Sequence, residues 1–381
     1  MTTLFNILRH PSSKIFFLKS LAGIVSIVIS ILIARLLGKE YFVDYSTRYS
    51  KILVLSTLLM MGSNSLVIAK KNPSSKVHVL NMITTWIIIL FPLLFALYLL
   101  LQDVLYISVI VYIAIKFLPV YYISNKHYIM GILMDSIAIN IAVFICIFLL
   151  NSVDLGILFG GLTVLIIHMI FLTNIKLKLV NPFEQFKISF RYWVTNSSRL
   201  VIDLFLLSIV DVYFNSEELS EIALALKLSL VFSLLLNSIN TWIEGTINDF
   251  KKQDNIGRYF RILKVTIPLS ISVWIVMLIM EPLIFRIWGL SGIDGSIYRI
   301  LIFANVVLLA TGPTNQLLAY NGMLNTYVKV VVSVLILLMG PYFINFYGTM
   351  RGTDIILYYS GVIIFENIVK LLCLYLRKIQ Y

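Results

Sequence analysis

Charge is scarce in this chain: 13% of its 381 residues are Asp, Glu, Lys or Arg, where a soluble domain carries about a quarter. Cysteine is nearly absent. Cys146 and Cys373 stand far apart, each inside an apolar run, which excludes a disulfide scaffold and a cysteine metal site. His10, His78, His127 and His168 are scattered, without HExxH or CxxC spacing, so no metal or other cofactor is expected. No Walker A motif occurs, which excludes ATP as a direct drive. Long polar stretches are also missing. The longest interruptions between apolar runs, 175–192 and 244–262, are too short for a soluble domain.

What is present is hydrocarbon. The chain is 60% hydrophobic with a mean hydropathy of +0.96, more apolar surface than a water-soluble fold can hide. A spanning helix needs about 20 apolar residues. Twelve candidate spans follow: 16–37, 50–69, 79–101, 104–124, 128–150, 155–174, 193–214, 219–243, 263–285, 297–320, 324–346 and 354–376. The gaps at Gln102-Asp103 and Asn151 to Asp154 predict tight hairpins. The first span is too long for a signal-peptide core and no A-x-A site follows it, so it is read as retained.

The basic residues set the orientation. With the amino terminus inside, twenty of the thirty Lys and Arg fall in cytoplasmic segments, Lys370 counted among them, and six outside at Lys39, Arg48, Lys51, Arg286, Arg299 and Arg351. This is the positive-inside pattern, and both termini are expected in the cytoplasm. It accounts for the net charge of +12 without nucleic acid. Glu217, Glu218 and Glu221 crowd into one outer loop. The two long inner loops mix bases with aromatics. Each is read as positive-inside charge, with a short interfacial helix as its geometry. Six spans in each half predict two bundles, 1–192 and 193–381, with parallel topology.

Ionised groups within spans cost about 2.5–3.5 kcal/mol each on insertion scales. A chain that only needed to span would avoid them, yet Arg35, Lys116, Arg199, Lys227, Asp135, Asp203, Asp211, Glu244, Glu281 and Glu366 are all there. Arg199 and Asp203 are four apart and share a helix face. Asn237, Asn240 and Glu244 fall within about 60° of one another on the eighth span. On the tenth, Asn305, Gly312 and Gln316 form a stripe beside Pro313, which should kink the helix. Arg35 lies about 160° from Lys19 in an ideal helix. It has two readings, snorkelling to the interface or lining a polar cavity. Arg35, Lys116, Arg199, Lys227, Asn237, Asn240, Asn305 and Gln316 are the candidate substrate contacts. Asp135, Asp203 and Glu366 are the candidate ion-coupling acids.

At the end of the first span stand Ala34-Arg35-Leu36-Leu37-Gly38 and then Tyr41-Phe42-Val43-Asp44-Tyr45-Ser46. This run resembles the first-helix ending of bacterial polysaccharide and O-antigen flippases of the multidrug/oligosaccharidyl-lipid/polysaccharide (MOP) superfamily, except that Val43 or Asp44 stands where a glycine is usual. RLVIDLFLLSIVDVYF, and the run from EPLIFRIWG through LAYNGMLNTYVKVVVSVLILL, are similar to later parts of that family. The resemblance implies an all-α polytopic fold of two six-helix bundles about a central cavity that opens alternately to either side of the inner membrane. It implies a transporter, not an enzyme, flipping an undecaprenyl-diphosphate-linked oligosaccharide from inner to outer leaflet. Membrane lipids and other polysaccharide-assembly proteins are the further partners it suggests. In that family an arginine at Arg35's position has been given a cargo-binding role. The alternative is a small-molecule or multidrug exporter of the same superfamily, whose cavity would be net acidic. A membrane-embedded polymerase or glycosyltransferase would need large outer loops, and those here are about ten residues or fewer by the span boundaries.

Overall fold

The structure, a computed structural model, describes residues 11–60, 73–124, 130, 133–171, 178–181, 193, 202–209, 212–228, 232, 252–312, 314, 318, 323–343 and 350–379. Those residues are all-helical, with no strand among them. The chain forms two compact units, Met1–Val201 and Ile202–Tyr381.

The first unit begins with α1 (Pro11–Leu36) and α2 (Lys39–Leu59). Gly38, at φ 108°, makes the turn between them in a conformation that side chains disfavour. Helix α2 therefore starts well before the span expected at 50–69, and Lys39, Arg48 and Lys51 sit on a helix rather than in a loop. The reason is aromatic. Phe42, Tyr45 and Tyr49 recur at three- and four-residue spacing and are buried, which makes a helix face that hydropathy undercounts because tyrosine scores as polar. Tyr45 stacks on Tyr49 at 5.3 Å, and Tyr49 meets Tyr112 edge-on at 5.7 Å.

Two tight hairpins follow. Helices α3 (Pro73–Leu101) and α4 (Leu105–Ser124) turn at Gln102 (φ 55°), where the Leu105 amide donates to Asp103 Oδ1 at 2.9 Å. A π-helical turn, Leu133–Ala138, runs into α5 (Ile139–Leu150). Asn151, at φ 49°, ends α5, and Ser152 caps α6 (Val153–Phe171) by accepting from the Leu155 amide. Helices α5 and α6 pack backbone to backbone. A Cβ on Gly156 would lie 2.6 Å from Ile147 Cα, and one on Gly160 2.6 Å from Val143 Cα. Small residues give this close approach where lipid supplies no hydrophobic drive.

The linker beyond α6 is docked on this unit. The amides of Lys178 and Val180 donate to Asn81 Oδ1 (3.0 Å) and Thr85 Oγ1 (3.1 Å) on α3. The indoles of Trp86 and Trp193 donate to the carbonyls of Leu59 and Leu58, the last turn of α2. An interfacial helix was expected here; residues 178–181 are instead non-helical. Asn181 precedes a proline, which disfavours helix, and polar partners on α3 hold this segment as a strap.

The second unit contains α7 (202–209), α8 (216–228), α9 (Lys252–Ile279), α10 (Glu281–Trp288), α11 (Ser296–Thr311), α12 (Leu324–Phe343) and α13 (Gly352–Ile379). Helices α9 and α10 meet at a bend of 58°. Arg299 fastens that corner, donating to Glu281 Oε1 at 2.7 Å and to the Asp294 carbonyl at 3.2 Å. Helix α11 stops at Thr311, where Gly312 takes φ 65° and the next residue is Pro313. This is the interruption the sequence predicts.

Thr84–Leu101 and Gly352–Leu376 are each long and apolar enough to cross a bilayer, and Thr266–Ile279 with Glu281–Trp288 reaches the same length and hydropathy when taken together as a bent pair. Other expected spans show as shorter apolar helices, such as Ile139–Leu150 and Val153–Met169, or run into residues outside those described. Leu100 is 77% exposed, Leu149 74% and Ile336 66%. Side chains this apolar and this exposed suit a lipid surface.

Candidate functional site

Ser26 and Ser30 are buried, and Ser30 Oγ donates to the Ser26 carbonyl at 2.8 Å, so these serines serve helix packing. Arg35 is exposed in the last turn of α1. It lies on a different face from the two serines, as the helical angle requires. A cation in a last turn also meets the negative end of the helix dipole. Lys116, on α4, is half-buried. Asp135 lies in the π-helical turn, a distortion that often marks a functional position; its side chain is outside the described part.

Where α2 meets the two hairpins, one guanidinium gathers three carboxylates from three elements. Arg48 Nε reaches Asp44 at 2.6 Å, and Nη1 reaches Asp154 at 2.7 Å and Asp103 at 3.9 Å. Tyr41 Oη donates to Asn151 Oδ1 at 2.9 Å. Partial burial raises the Asp154 carboxyl above its usual range, with Arg48 pulling it back down. This clasp ties α2 to the hairpins α3–α4 and α5–α6. Sequence reading placed Arg48 among the outside charges and Asp103 and Asp154 in two separate hairpins, with nothing to bring them together.

In the second unit, Asp203 on α7 accepts a hydrogen bond from Tyr359 Oη on α13 at 2.7 Å. Lys227 on α8 is 4% exposed. Asn305 is buried and spends its amide on its own helix, Nδ2 donating to the Leu301 carbonyl at 2.9 Å. Arg199, Asn237, Asn240 and Gln316 lie outside the described residues, as do Asp211 and Glu244.

Glu366 is buried and ion-paired with Lys370, which is 2% exposed. This corrects the count of Lys370 among cytoplasmic loop charges: it is a core residue of α13. The i, i+4 spacing within an apolar run was the signal for it. Tyr359, Tyr327 and Tyr259 are the polar residues that sequence reading missed. An isolated tyrosine in an apolar run gives no sign of what its hydroxyl will meet.

By sequence, the chain matches no family model and no curated protein. By fold it is similar to solved transporters over nearly its whole length. An inward-facing multidrug resistance MATE family transporter of the MOP superfamily aligns with TM-score 0.59 at 12% identity, covering 96% of this chain and 94% of that one. A MOP superfamily transporter from Pyrococcus furiosus, described as having a binding pocket of reverse polarity that suggests a different function, aligns at 0.57 and 13%, covering 98% and 97%. A MATE solved in complex with MaL6 aligns at 0.55 and 12%, covering 98% and 97%. The chain therefore has the all-helical fold of MOP-type transporters, a multi-pass membrane architecture. At these identities the likeness defines the fold alone.

Proposed function

We propose that this protein is an exporter that works by alternating access in a bacterial inner membrane, moving a small amphiphilic cargo out of the cytoplasm. The observation that carries this reading is the end-to-end likeness of fold to MATE transporters, covering more than nine-tenths of both chains. Asp203 is the proposed coupling acid. An ionised carboxylate accepts from Tyr359 Oη. A proton or a monovalent cation on that carboxylate competes with the hydroxyl and loosens the tie between α7 and α13.

The second reading is a flippase for an undecaprenyl-diphosphate-linked oligosaccharide. Two features favour it: the buried base Lys227, suited to pairing with phosphate, and the Ala34-Arg35 to Ser46 resemblance.

One experiment separates the two. The chain is expressed in a bacterial strain lacking its own drug exporters, and efflux of ethidium is followed with and without a proton or sodium gradient. The exporter reading predicts gradient-dependent efflux that Asp203→Asn abolishes. No efflux, together with lipid-linked oligosaccharide accumulating on the inner leaflet when the native gene is deleted, would replace it with the flippase.

A further inference from the structure

A buried polar layer joins four helices of the second unit. Glu366 and Lys370 lie one turn apart on α13, both buried, and form an ion pair. The Lys370 ammonium also lies 4.9 Å from the centre of the Tyr327 ring on α12, a residue with no exposed surface. Asn367 stands between them in sequence. Its Nδ2 donates to the Ile363 carbonyl at 2.8 Å, and its Oδ1 lies 3.4 Å from Thr311 Oγ1, a hydroxyl shared with the Val307 and Leu308 carbonyls of its own helix at 3.1 Å each.

Thr311 is where α11 ends. Pro313 offers no amide to that end, and the Thr314 amide donates to Gly312 instead. Two carbonyls freed by the break take hydroxyls from α9: Ala310 accepts from Thr266 Oγ1 at 3.0 Å, and Thr311 from Tyr259 Oη at 2.5 Å. Unpaired carbonyls in a dry interior are costly, and these two are matched.

A buried carboxylate needs a positive partner. In a transporter driven by an ion gradient, that partner can be imported, and an intramembrane acid is the default candidate for receiving it. Glu366 instead has a cation tethered one turn away on its own helix, with an aromatic face contributing to the ammonium's surroundings.

We infer that Glu366 and Lys370 form a built-in neutral pair that positions the α11 break through Asn367 and Thr311, and that Glu366 does not carry the coupling ion. This rests on the ion-coupled exporter reading and removes one of its candidate acids. Lys370 is then a positioning residue whose charge is spent inside the protein and is not offered to cargo.

The test is a double-mutant cycle with Glu366→Gln, Lys370→Met and the pair, read in two ways. The first reading is the thermal midpoint of the purified full chain. Each single variant strands a buried charge and should lower the midpoint by about 5–10 °C, while the double variant recovers most of that loss. The second is gradient-dependent ethidium efflux. The double variant should retain the wild-type dependence on proton or sodium gradient, with a rate within about threefold of wild type, since the break is held without a net charge change. A double variant as unstable as the worse single, or a stable Glu366→Gln protein that has lost gradient dependence, would overturn the assignment. If the wild type itself shows no gradient dependence, the coupling reading fails by itself, and the midpoints alone decide the pair.

Discussion

A single carboxylate in the second unit shows how much one residue holds. Glu221 is 3% exposed, and its Oε2 accepts from the Tyr298 amide at 3.0 Å. It thereby caps α11 from a different helix, at the positive end of that helix's dipole. Glu218 and Asn215 form a reciprocal cap on α8: Asn215 Oδ1 accepts from the Glu218 amide, and Glu218 Oε2 from the Asn215 amide. The same Glu218 carboxylate presses on Gly352, where a Cβ would sit 2.4 Å from Oε1. Sequence reading puts the three acids in one loop; in the structure Glu217, Glu218 and Glu221 instead lie in the first turns of α8, where Asn215 and Glu218 cap the helix start. Which helix end each acid would meet depends on tertiary contacts that no local pattern encodes. Replacing Glu221 by alanine should cost about 1–2 kcal/mol of stability, read as a lowered thermal midpoint, with glutamine losing less. An unchanged midpoint for the alanine variant would rule out the cap. Arg48 supplies a second residue-scale test, this time through pH. Asp154 has a raised carboxyl, so the folded state holds that proton more tightly than the unfolded state. Its contribution is therefore most favourable at low pH and weakens as pH rises through the carboxylate range. Arg48→Gln removes the opposing charge and raises that carboxyl further. The variant's deficit in thermal midpoint should be largest near neutral pH and shrink as pH falls toward about 4. A deficit independent of pH would mean that packing, not charge, holds the clasp.

At the scale of whole elements, periodic apolar runs mark where helices lie, and glycine and proline mark where they stop. The break at Gly312 was legible that way, and the hairpins at Gln102 and Asn151 were legible from the shortness of the gaps between apolar runs. Three features were not. The early start of α2 was hidden because buried tyrosines look polar. The π-helical turn at Leu133–Ala138 has no sequence period that identifies it. The docking of residues 178–181 depends on Asn81 and Thr85, nearly a hundred residues away. Gly160→Val tests the α5–α6 contact. The added side chain meets Val143 backbone and not a flexible tip, so α5 and α6 must separate, at a cost of about 1–3 kcal/mol measurable by thermal unfolding; a wild-type midpoint would show that the helices yield freely. The strap is tested with cysteines at Thr85 and Val180, after replacing Cys146 and Cys373 by alanine. If the strap moves with the first unit throughout the transport cycle, oxidising that pair to a disulfide leaves ethidium efflux unchanged. Efflux that stops on oxidation and returns with reductant would show that the strap must undock.

For the molecule as a whole, layout carries the class and a few polar side chains carry the cargo. That is why the fold was legible and the substrate was not. Long apolar runs, short hairpins and inside-positive loops are dictated by the bilayer, and every transporter built this way shares them. The choice between a drug-like cation and a lipid diphosphate turns on how Asp203, Lys227 and their neighbours are paired. Lys370 shows how a base that counts as a cytoplasmic loop charge in sequence can be buried and neutralised by its own helix.

The claim underlying all of this is that two helical units exchange access between the two sides of the membrane. The direct measurement is a pair of distances by double electron–electron resonance, in the cysteine-free background reconstituted in lipid. One pair is labelled at Asn151 and Glu217, which the loop charges assign to the outside. The other is at Lys178 and Asn325, assigned to the inside. All four residues are exposed. The account predicts that shifting pH or sodium moves the two distance distributions in opposite directions, one lengthening as the other shortens. Two narrow distributions that stay fixed under every gradient condition, or that lengthen and shorten together, would contradict it.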